Sequence, residues 1–525
     1  MRTVPLLIVV GLGLAAPSVG ETASDPPIGG VTQVANGASQ EVAYDAATDT
    51  YFLVWRRSPL VVGGSREIFA QRIDGTGAQL GSPFLLVANP DVGVPKVASV
   101  AARRAFIVVW STNGTLHAVT VDAASGAMAS AMLTVGVNQL YPDVGSAPVG
   151  GDRAVVVWRN RRVLQAASLT VDSASSPPRF GTVNSIFGSE GTSWPQVASG
   201  GGASGRYLVA WAGNFATSGQ PEDVWGVVLD VGGRVVVPRF KVADEAVDEH
   251  GPHVDGDGER WVVGYNERGP RFFYHAMCRG VELHAGGSVT VTAPVRLRQG
   301  GTVSWYVTDV GWLGRSAVVA YTSSLLNSYV ASVDPFSCLN CEGEFVVVGG
   351  SERSGPVTVA SQHSSDPAAG DDALVAWASS PLGGGTSTVA YQRFRADDGA
   401  ATDLGGRCGN GGTAHAACAR IGHTGFAARL RGSAPSVPAW LLVSGGTPGL
   451  PCGTCQFVPD PSRGLVVAAD GGGTDALGAA DLTLSIPASV AFSGRSFYQQ
   501  WFVMDGTPGT CLGMSLSNGL RVHID

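Results

Sequence analysis

Ile107-Val108-Val109-Trp110 is a short apolar run that closes on an aromatic residue. The same pattern recurs as Phe52-Leu53-Val54-Trp55, Val155-Val156-Val157-Trp158, Leu208-Val209-Ala210-Trp211, Val262-Val263-Gly264-Tyr265, Val318-Val319-Ala320-Tyr321 and Leu374-Val375-Ala376-Trp377. The terminal aromatics fall 55, 48, 53, 54, 56 and 56 residues apart, a regularity that marks a repeat architecture. Several copies are preceded by a short P-x-V segment, as in Pro95-Lys96-Val97-Ala98, Pro142-Asp143-Val144, Pro195-Gln196-Val197-Ala198 and Pro252-His253-Val254. After the aromatic comes a polar loop and a further β-type run, such as Ile68 to Asp74, Leu116 to Asp122 or Val224 to Asp230. A fourth run such as Pro83 to Val87 leads to the next unit.

Four short strands in a unit of about 50 residues, repeated seven times, predict an all-β chain whose body is a seven-bladed β-propeller over residues 31–401. No stretch sustains a 3.6-residue period with caps, which argues against a helical solenoid. The first strand of each blade is expected to line the central channel, and the aromatic-ending run to be the second strand. The seven aromatics then read as blade packing. With its P-x-V-A and V-V-W elements, the chain resembles secreted bacterial proteins built from propeller-forming repeats, which implies a fold and a surface location but no reaction.

Beyond Ala401 the beat stops, and Gly405-Gly406-Arg407-Cys408-Gly409 opens a Gly- and Cys-rich stretch. Strand-like segments follow at Ala439 to Val443, Leu465 to Ala469, Leu482 to Ile486, Ser496 to Val503 and Leu520 to Ile524, predicting a small β-sandwich domain over 405–525. Cys408, the Pro451-Cys452 turn, Leu484-Ser485-Ile486-Pro487, Tyr498-Gln499-Gln500-Trp501 and Ser517-Asn518-Gly519-Leu520 resemble a C-terminal β module recurrent in exported proteins of environmental bacteria.

Arg2, the apolar stretch Val4 to Ala16 and the small residues ending in Ser18-Val19-Gly20 read as a signal peptide over 1–20. No later run has the length of apolar sequence a membrane helix needs, so a secreted or cell-surface protein without a membrane span is expected. With 34 Lys plus Arg against 42 Asp plus Glu and only 14% charged residues, a broad nucleic-acid surface is excluded. Eight cysteines suit an oxidising compartment. Two C-x-x-C pairs, Cys338/Cys341 and Cys452/Cys455, offer a zinc reading beside the favoured disulfide one.

Ligands of propellers are sought where the loops between strands four and one, and two and three, emerge on one face. Tyr141, Trp194, Trp305 and Tyr306 precede first strands there, while Arg56, Arg57, Arg159, Asn160, Asn266, Glu267 and Arg268 follow second strands. Aromatic faces stack on sugar rings and Arg or Asn direct hydrogen bonds, so Tyr141, Trp194, Trp305, Tyr306, Arg56, Arg159, Asn266 and Arg268 are the ligand-binding candidates. Inter-blade packing of the aromatics is the competing reading. Asp143, Asp255 and Asp309 fall in first strands and are the weak catalytic candidates, since a glycosidase needs two carboxylates. The acidic stretch from Asp244 to Glu259 offers oxygen ligands for Ca²⁺ at Asp244, Asp248, Asp255 and Asp257, against the plainer reading of a solvated turn. No other cofactor is indicated.

No G-x-S-x-G elbow, H-E-x-x-H helix or sialidase-type S-x-D-x-G-x-T-W box is present. The expectation is an exported binding or adhesion protein that recognises a glycan or an extracellular protein partner. The alternatives are a propeller-type polysaccharide hydrolase or lyase using channel-mouth carboxylates, and a structural cell-surface protein.

Overall fold

In the computed structural model, seven antiparallel sheets of four principal strands run from Ile28 to Arg395. The structure describes residues 28–57, 65–89, 91–133, 139–146, 151–161, 163–188, 194–198, 205–213, 221–269, 273–284, 286–298, 303–313, 317–324, 327–333, 340–348, 352–361, 372–381, 386–395, 401–404, 406–417, 426–446, 449–460, 462, 465–476, 478–484, 486, 489, 495–508 and 510–524. The segment read as a signal peptide lies outside them.

Blade 1 consists of Ala38–Asp45, Thr50–Arg57, Arg66–Asp74 and Phe84–Asn89, paired in that order. Blades 2 to 6 repeat the pattern, their first strands being Lys96–Val100, Gln139–Ser146, Gln196–Val197, Glu249–Gly256 and Trp305–Trp312. Each run ending in Trp or Tyr forms or lies within the second strand of its blade, as expected. Blade 7 holds Glu352–Ser361, Asp372–Pro381 and Thr388–Arg395, and takes its fourth strand, Ile28–Asn36, from the N-terminal side of blade 1. The chain thereby closes the ring by hydrogen bonds between its two ends.

Each sheet buries one face against the next, because a single four-stranded sheet cannot cover its own apolar surface. Seven apolar clusters fill the seven contacts between neighbouring blades. The closing contact joins Val42, Tyr44 and Trp55 of blade 1 to Leu374, Ala376 and Tyr391 of blade 7. Trp55, Trp158, Trp211, Tyr265 and Tyr321 are fully buried, and Trp110 and Trp377 nearly so.

The turns between third and fourth strands use a recurrent aspartate. Asp74 Oδ1 accepts the N–H groups of Thr76 and Ala78 at 2.9 and 2.8 Å, and Asp230 Oδ1 those of Gly232 and Arg234 at 2.8 and 2.9 Å. Gly77 and Gly233 follow with φ of +91° and +75°, values that suit glycine.

The remaining strands form a β-sandwich. One sheet runs Ala401–Asp403, Leu520–Ile524, Arg495–Val503, Pro438–Ser444, Leu465–Gly473, and the other Thr413–Ala417, Phe426–Arg431, Ala480–Leu484. Trp501, Leu441 and Val522 of the first pack on Phe426, Leu430 and Leu482 of the second. A hairpin, Leu450–Cys452 with Cys455–Phe457, is tied down by disulfides Cys408–Cys455 and Cys452–Cys511, with Cα separations of 5.2 and 4.8 Å. The zinc reading is corrected here: Cys452 and Cys455 are committed to two different disulfides, so their thiolates are not available to a metal. Cys278 is also disulfide-bonded. Cys338 and Cys418 lie outside the described residues. Among the described residues no helix is long and apolar enough to cross a membrane.

Candidate functional site

The first strands stand side by side around the channel in a common register. In all seven blades one polar residue pairs with the residue just before the terminal aromatic of the second strand: Glu41 with Val54, Lys96 with Val109, Asp143 with Val157, Gln196 with Ala210, His253 with Gly264, Asp309 with Ala320 and Thr358 with Ala376. These are seven equivalent positions, and none is apolar. Two residues further on, the level is Ala43, Ala98, Gly145, Ala198, Asp255, Gly311 and Ala360, all small except Asp255. Small residues are required there: a Cβ on Gly145 would stand 2.4 Å from the Ala198 carbonyl oxygen of the next blade.

The polar ring is held by its own bonds. Lys96 Nζ donates to Glu41 Oε2 at 2.7 Å and lies 3.8 Å from Asp143 Oδ1. Burial works against the ammonium charge, but Glu41, Asp143 and Asp309 outweigh it and hold the Lys96 pKa above its ordinary value. Asp143 Oδ2 accepts the Val197 N–H of blade 4 at 2.7 Å. Asp255 Oδ2 accepts the Trp312 N–H of blade 6 at 2.8 Å. Asp309 Oδ2 accepts the Val359 N–H of blade 7 at 2.8 Å and the Thr358 hydroxyl at 2.7 Å. The three carboxylates singled out from the sequence as catalytic candidates thus each tether one first strand to its neighbour.

Burial raises the Asp143 pKa to about 6, with Lys96 pulling down and Glu41 pushing up. Burial and then the Glu41 carboxylate raise Asp309 to about 8, against the pull of Lys96 and the two donors from blade 7. His253, whose Nδ1 lies 3.8 Å from Asp309 Oδ1 and makes no hydrogen bond, is driven by burial and by Lys96 down to about 3 and stays neutral. The channel holds a cavity of about 100 Å³ lined by Glu41, Lys96, Asp143, Gln196, Asp255 and Asp309 among others. A space of that size takes several waters.

At the loop face the predicted aromatics separate into two kinds. Tyr141 and Trp194 are 43% and 59% exposed, and their ring centroids stand 5.1 Å apart although they belong to blade 3 and the approach to blade 4. The Arg159 guanidinium lies over the Tyr141 ring at 5.4 Å. Tyr141 holds φ at +59°, an uncommon conformation for a bulky residue, at a register shift between Leu140 and Asp143. Ser39 and Gly251 occupy the equivalent position in blades 1 and 5 with φ of +53° and +57°. Three of the seven first strands thus share this backbone state, and at Tyr141 it is held by a bulky side chain, at a cost in strain.

Tyr306 is 36% exposed and continues into Tyr274 and His250, with ring centroids 5.2 and 4.9 Å apart. Trp305, its neighbour in sequence, points the other way. It is buried against Tyr321 and Tyr329, with the Arg298 guanidinium at 4.6 Å. Asn266 is buried as well, its Oδ1 accepting the Val307 N–H at 2.7 Å. Arg268 pairs with Asp248 at 2.6 Å. Arg56 is half-buried beside Arg66, and burial, then that second cation, lower its pKa.

The acidic stretch does not assemble a cage. Asp244 lies 3.7 Å from Lys241, Asp248 serves Arg268, Asp257 receives Arg260 and Asp255 turns to blade 6. Glu245 pairs with Arg279, and Glu249 is fully buried beside it with a raised pKa caused by burial and by Glu245. Among the described residues no group of three or more His, Cys, Asp or Glu side chains gathers to hold a metal ion. Sequence spacing brought these carboxylates together; alternation along the strand and the separate cations disperse them.

The ring positions Glu41, Lys96, Gln196 and Thr358 escaped the sequence reading. The signal was the variable x of the P-x-V segments, which is Lys96, Asp143, Gln196 and His253 in the four copies quoted above.

No protein-family model matches the chain, and no curated protein matches it. Solved structures similar to it include the polysaccharide lyase Uly1, at 9% identity and a TM-score of 0.45, over 73% of this chain and 94% of that one. A polysaccharide lyase described as an ulvan lyase shares 11% identity at a TM-score of 0.42, over 66% and 93% of the two chains. The β-propeller domain of the Trilobed protease from Pyrococcus furiosus, described as having an open velcro topology, shares 7% identity at a TM-score of 0.42, over 69% and 98%.

Proposed function

We propose that this is an exported, non-enzymatic binding protein that recognises a glycan on the loop face of its propeller. The observation that carries the reading is the exposed pair Tyr141 and Trp194 with Arg159 over the tyrosine ring. Exposed, mutually supported aromatic rings present flat apolar faces to the C–H faces of sugars, and a guanidinium beside them supplies directed donors. Tyr274 and Tyr306 extend the aromatic surface on blades 5 and 6. Asp143, Asp255 and Asp309 each give one carboxylate oxygen to an inter-blade N–H group, which supports a structural part for them.

Trp194→Ala and Tyr141→Ala in the full chain are expected to weaken binding to the recognised member of a broad glycan panel about tenfold each. Circular dichroism and thermal midpoint are expected to stay close to those of the parent. Unchanged affinity in both variants would remove the loop face from the site. Glycan turnover by the parent chain that Asp143→Asn or Asp309→Asn abolishes would replace the binding reading with an enzymatic one. Binding to no glycan at all would favour a structural surface protein.

A further inference from the structure

Building on the glycan reading above, we propose that the ligand is a neutral polysaccharide bound along its length, one chain crossing the channel mouth from an aromatic shelf on blades 3 and 4 to a second on blades 5 and 6. Two residues before the polar ring, blades 2 to 5 bring Val94, Tyr141, Trp194 and Gly251 to the mouth. Val94, Tyr141 and Trp194 are 42%, 43% and 59% exposed, an arc of apolar surface along the rim. At Gly251 no side chain interrupts the path. Beyond it His250, Tyr274 and Tyr306 form the second shelf, successive ring centroids standing 4.9 and 5.2 Å apart. Neighbouring first strands have Cα atoms within 8 Å of one another. Three such steps on a seven-membered ring set Tyr141 and Tyr306 roughly 15–20 Å apart, about the length of three or four linked sugar rings.

The charges around this arc are matched within the protein. Arg268 pairs with Asp248, Arg296 with Glu267 and Arg57 with Glu67, and His250 Nδ1 lies 3.4 Å from Glu222 Oε2. Exposed Asp91 on blade 2 and exposed Arg161 on blade 3 are opposite in sign. Such a surface gives a charged polymer no net attraction, whereas the apolar faces of neutral sugar rings gain from stacking on it. The shaft below is cross-linked. Lys96 joins Glu41 to Asp143, and the Thr358 hydroxyl lies 2.7 Å from Asp309 Oδ2 and 3.2 Å from Glu41 Oε1. Threading the axis would break these bonds; a chain lying over the mouth breaks none and leaves both its ends in solvent. Internal units of the polymer are therefore what the face recognises.

The test titrates the full chain with neutral ladders of one to six units, the cello-, manno-, xylo- and malto-oligosaccharides, and with polygalacturonate beside its fully methyl-esterified form. In at least one ladder affinity is expected to rise about tenfold or more from the disaccharide to the pentasaccharide, and to change by no more than about twofold between low salt and about 0.5 M. Trp194→Ala is expected to weaken every length about tenfold. Tyr306→Ala is expected to weaken the pentasaccharide about fivefold and to leave the disaccharide unchanged, and Tyr306→Leu, which keeps apolar bulk without a ring, to do the same. Affinity that does not grow with chain length, still weakened by Trp194→Ala, overturns the spanning chain and leaves the glycan reading standing. The parent's full length dependence in Tyr306→Leu, at an unchanged thermal midpoint, has the same consequence. Polygalacturonate bound ten times more tightly than its ester overturns the neutral ligand alone. Binding to no ladder and to no member of the broad panel overturns both readings.

Discussion

Removing residues 28–36 is expected to open the propeller. Ile28–Asn36 is the fourth strand of blade 7, paired antiparallel with Thr388–Arg395 from Ile28 opposite Arg393 to Asn36 opposite Thr388. Val34 and Ala35 pack against the cluster that joins blades 7 and 1. Gly37 N–H bonds the Ser387 carbonyl at 2.9 Å just beyond the strand, and Gln79 of blade 1 reaches the Gln33 carbonyl at 3.4 Å. Deletion therefore removes a ladder whose bonds contribute about 1 kcal/mol each, uncovers apolar surface, and leaves the strand Thr388–Arg395 as an exposed edge. The ring also loses its clasp, since every other blade is continuous in sequence.

We expect the thermal midpoint of the truncated chain to fall by about 10 °C or more, with a broadened transition and a tendency to associate through the free edge. Calorimetry and light scattering read both. A peptide spanning residues 28–36, added in excess, is expected to restore part of the midpoint by binding the native edge. A truncated chain that melts where the full one does, as one sharp transition, would show that the inter-blade clusters close the ring unaided.

That clasp illustrates what the sequence did and did not disclose. The seven aromatics were readable because every blade buries the same position against its neighbour, which imposes one period on the whole chain. Ile28–Asn36 serves a partner more than 350 residues away in sequence, and nothing local distinguishes it from the start of a first blade. Tyr141 and Trp194 were readable as loop-face residues, but their pairing depends on two first strands standing side by side. Trp305 and Tyr306 looked alike as a dipeptide, yet alternation along the strand sends one ring inward and the other to solvent. Asn266 lay where a loop was expected and is instead buried under the Val307 N–H, because the second strand of blade 5 runs on to Arg268. The carboxylates of the first strands invited a catalytic reading because a sequence cannot show which N–H groups a neighbouring blade leaves for them to accept.

Asp309 provides the second large expected effect. Its carboxyl faces Glu41 and Lys96 across the channel and His253 on blade 5, while blade 7 presents Thr358 and the Val359 N–H. With a folded-state pKa of about 8 against an ordinary 3.8, the folded chain keeps a proton that the unfolded chain releases. Stability contributed by this group is present at acid pH, falls as pH rises from about 4 towards 8, and levels off above that. Asp143, raised to about 6, and buried Glu249 act in the same direction. Asp74, Asp122 and Asp248, held below the ordinary carboxylate range by their hydrogen bonds, act oppositely and limit stability at strongly acid pH. His253, driven down to about 3 from an ordinary 6.5, opposes the raised carboxyls below about pH 6.5, so the net fall in stability is concentrated between about pH 6.5 and 8.

The thermal midpoint of the parent chain is expected to drop on the order of 5 °C between pH 5 and 9. In Asp309→Asn the side chain stays neutral and its Oδ1 can still accept from blade 7, so a large part of that slope should vanish, and at pH 9 the variant should match or exceed the parent. Asp309→Ala leaves the buried Val359 N–H without its acceptor and the Thr358 hydroxyl with Glu41 alone, and is expected to cost about 3 kcal/mol at pH 5 and less at pH 9, since it too removes the titrating carboxyl. Parallel profiles for the parent and Asp309→Asn would show that Asp309 is ionised throughout, with Lys96 and the two donors of blade 7 prevailing over burial. A steep profile in the parent that the asparagine flattens would instead show that the first strands of blades 6 and 7 are joined by a carboxyl group that keeps its proton through neutral pH, and that deprotonation strains the ring from within the channel.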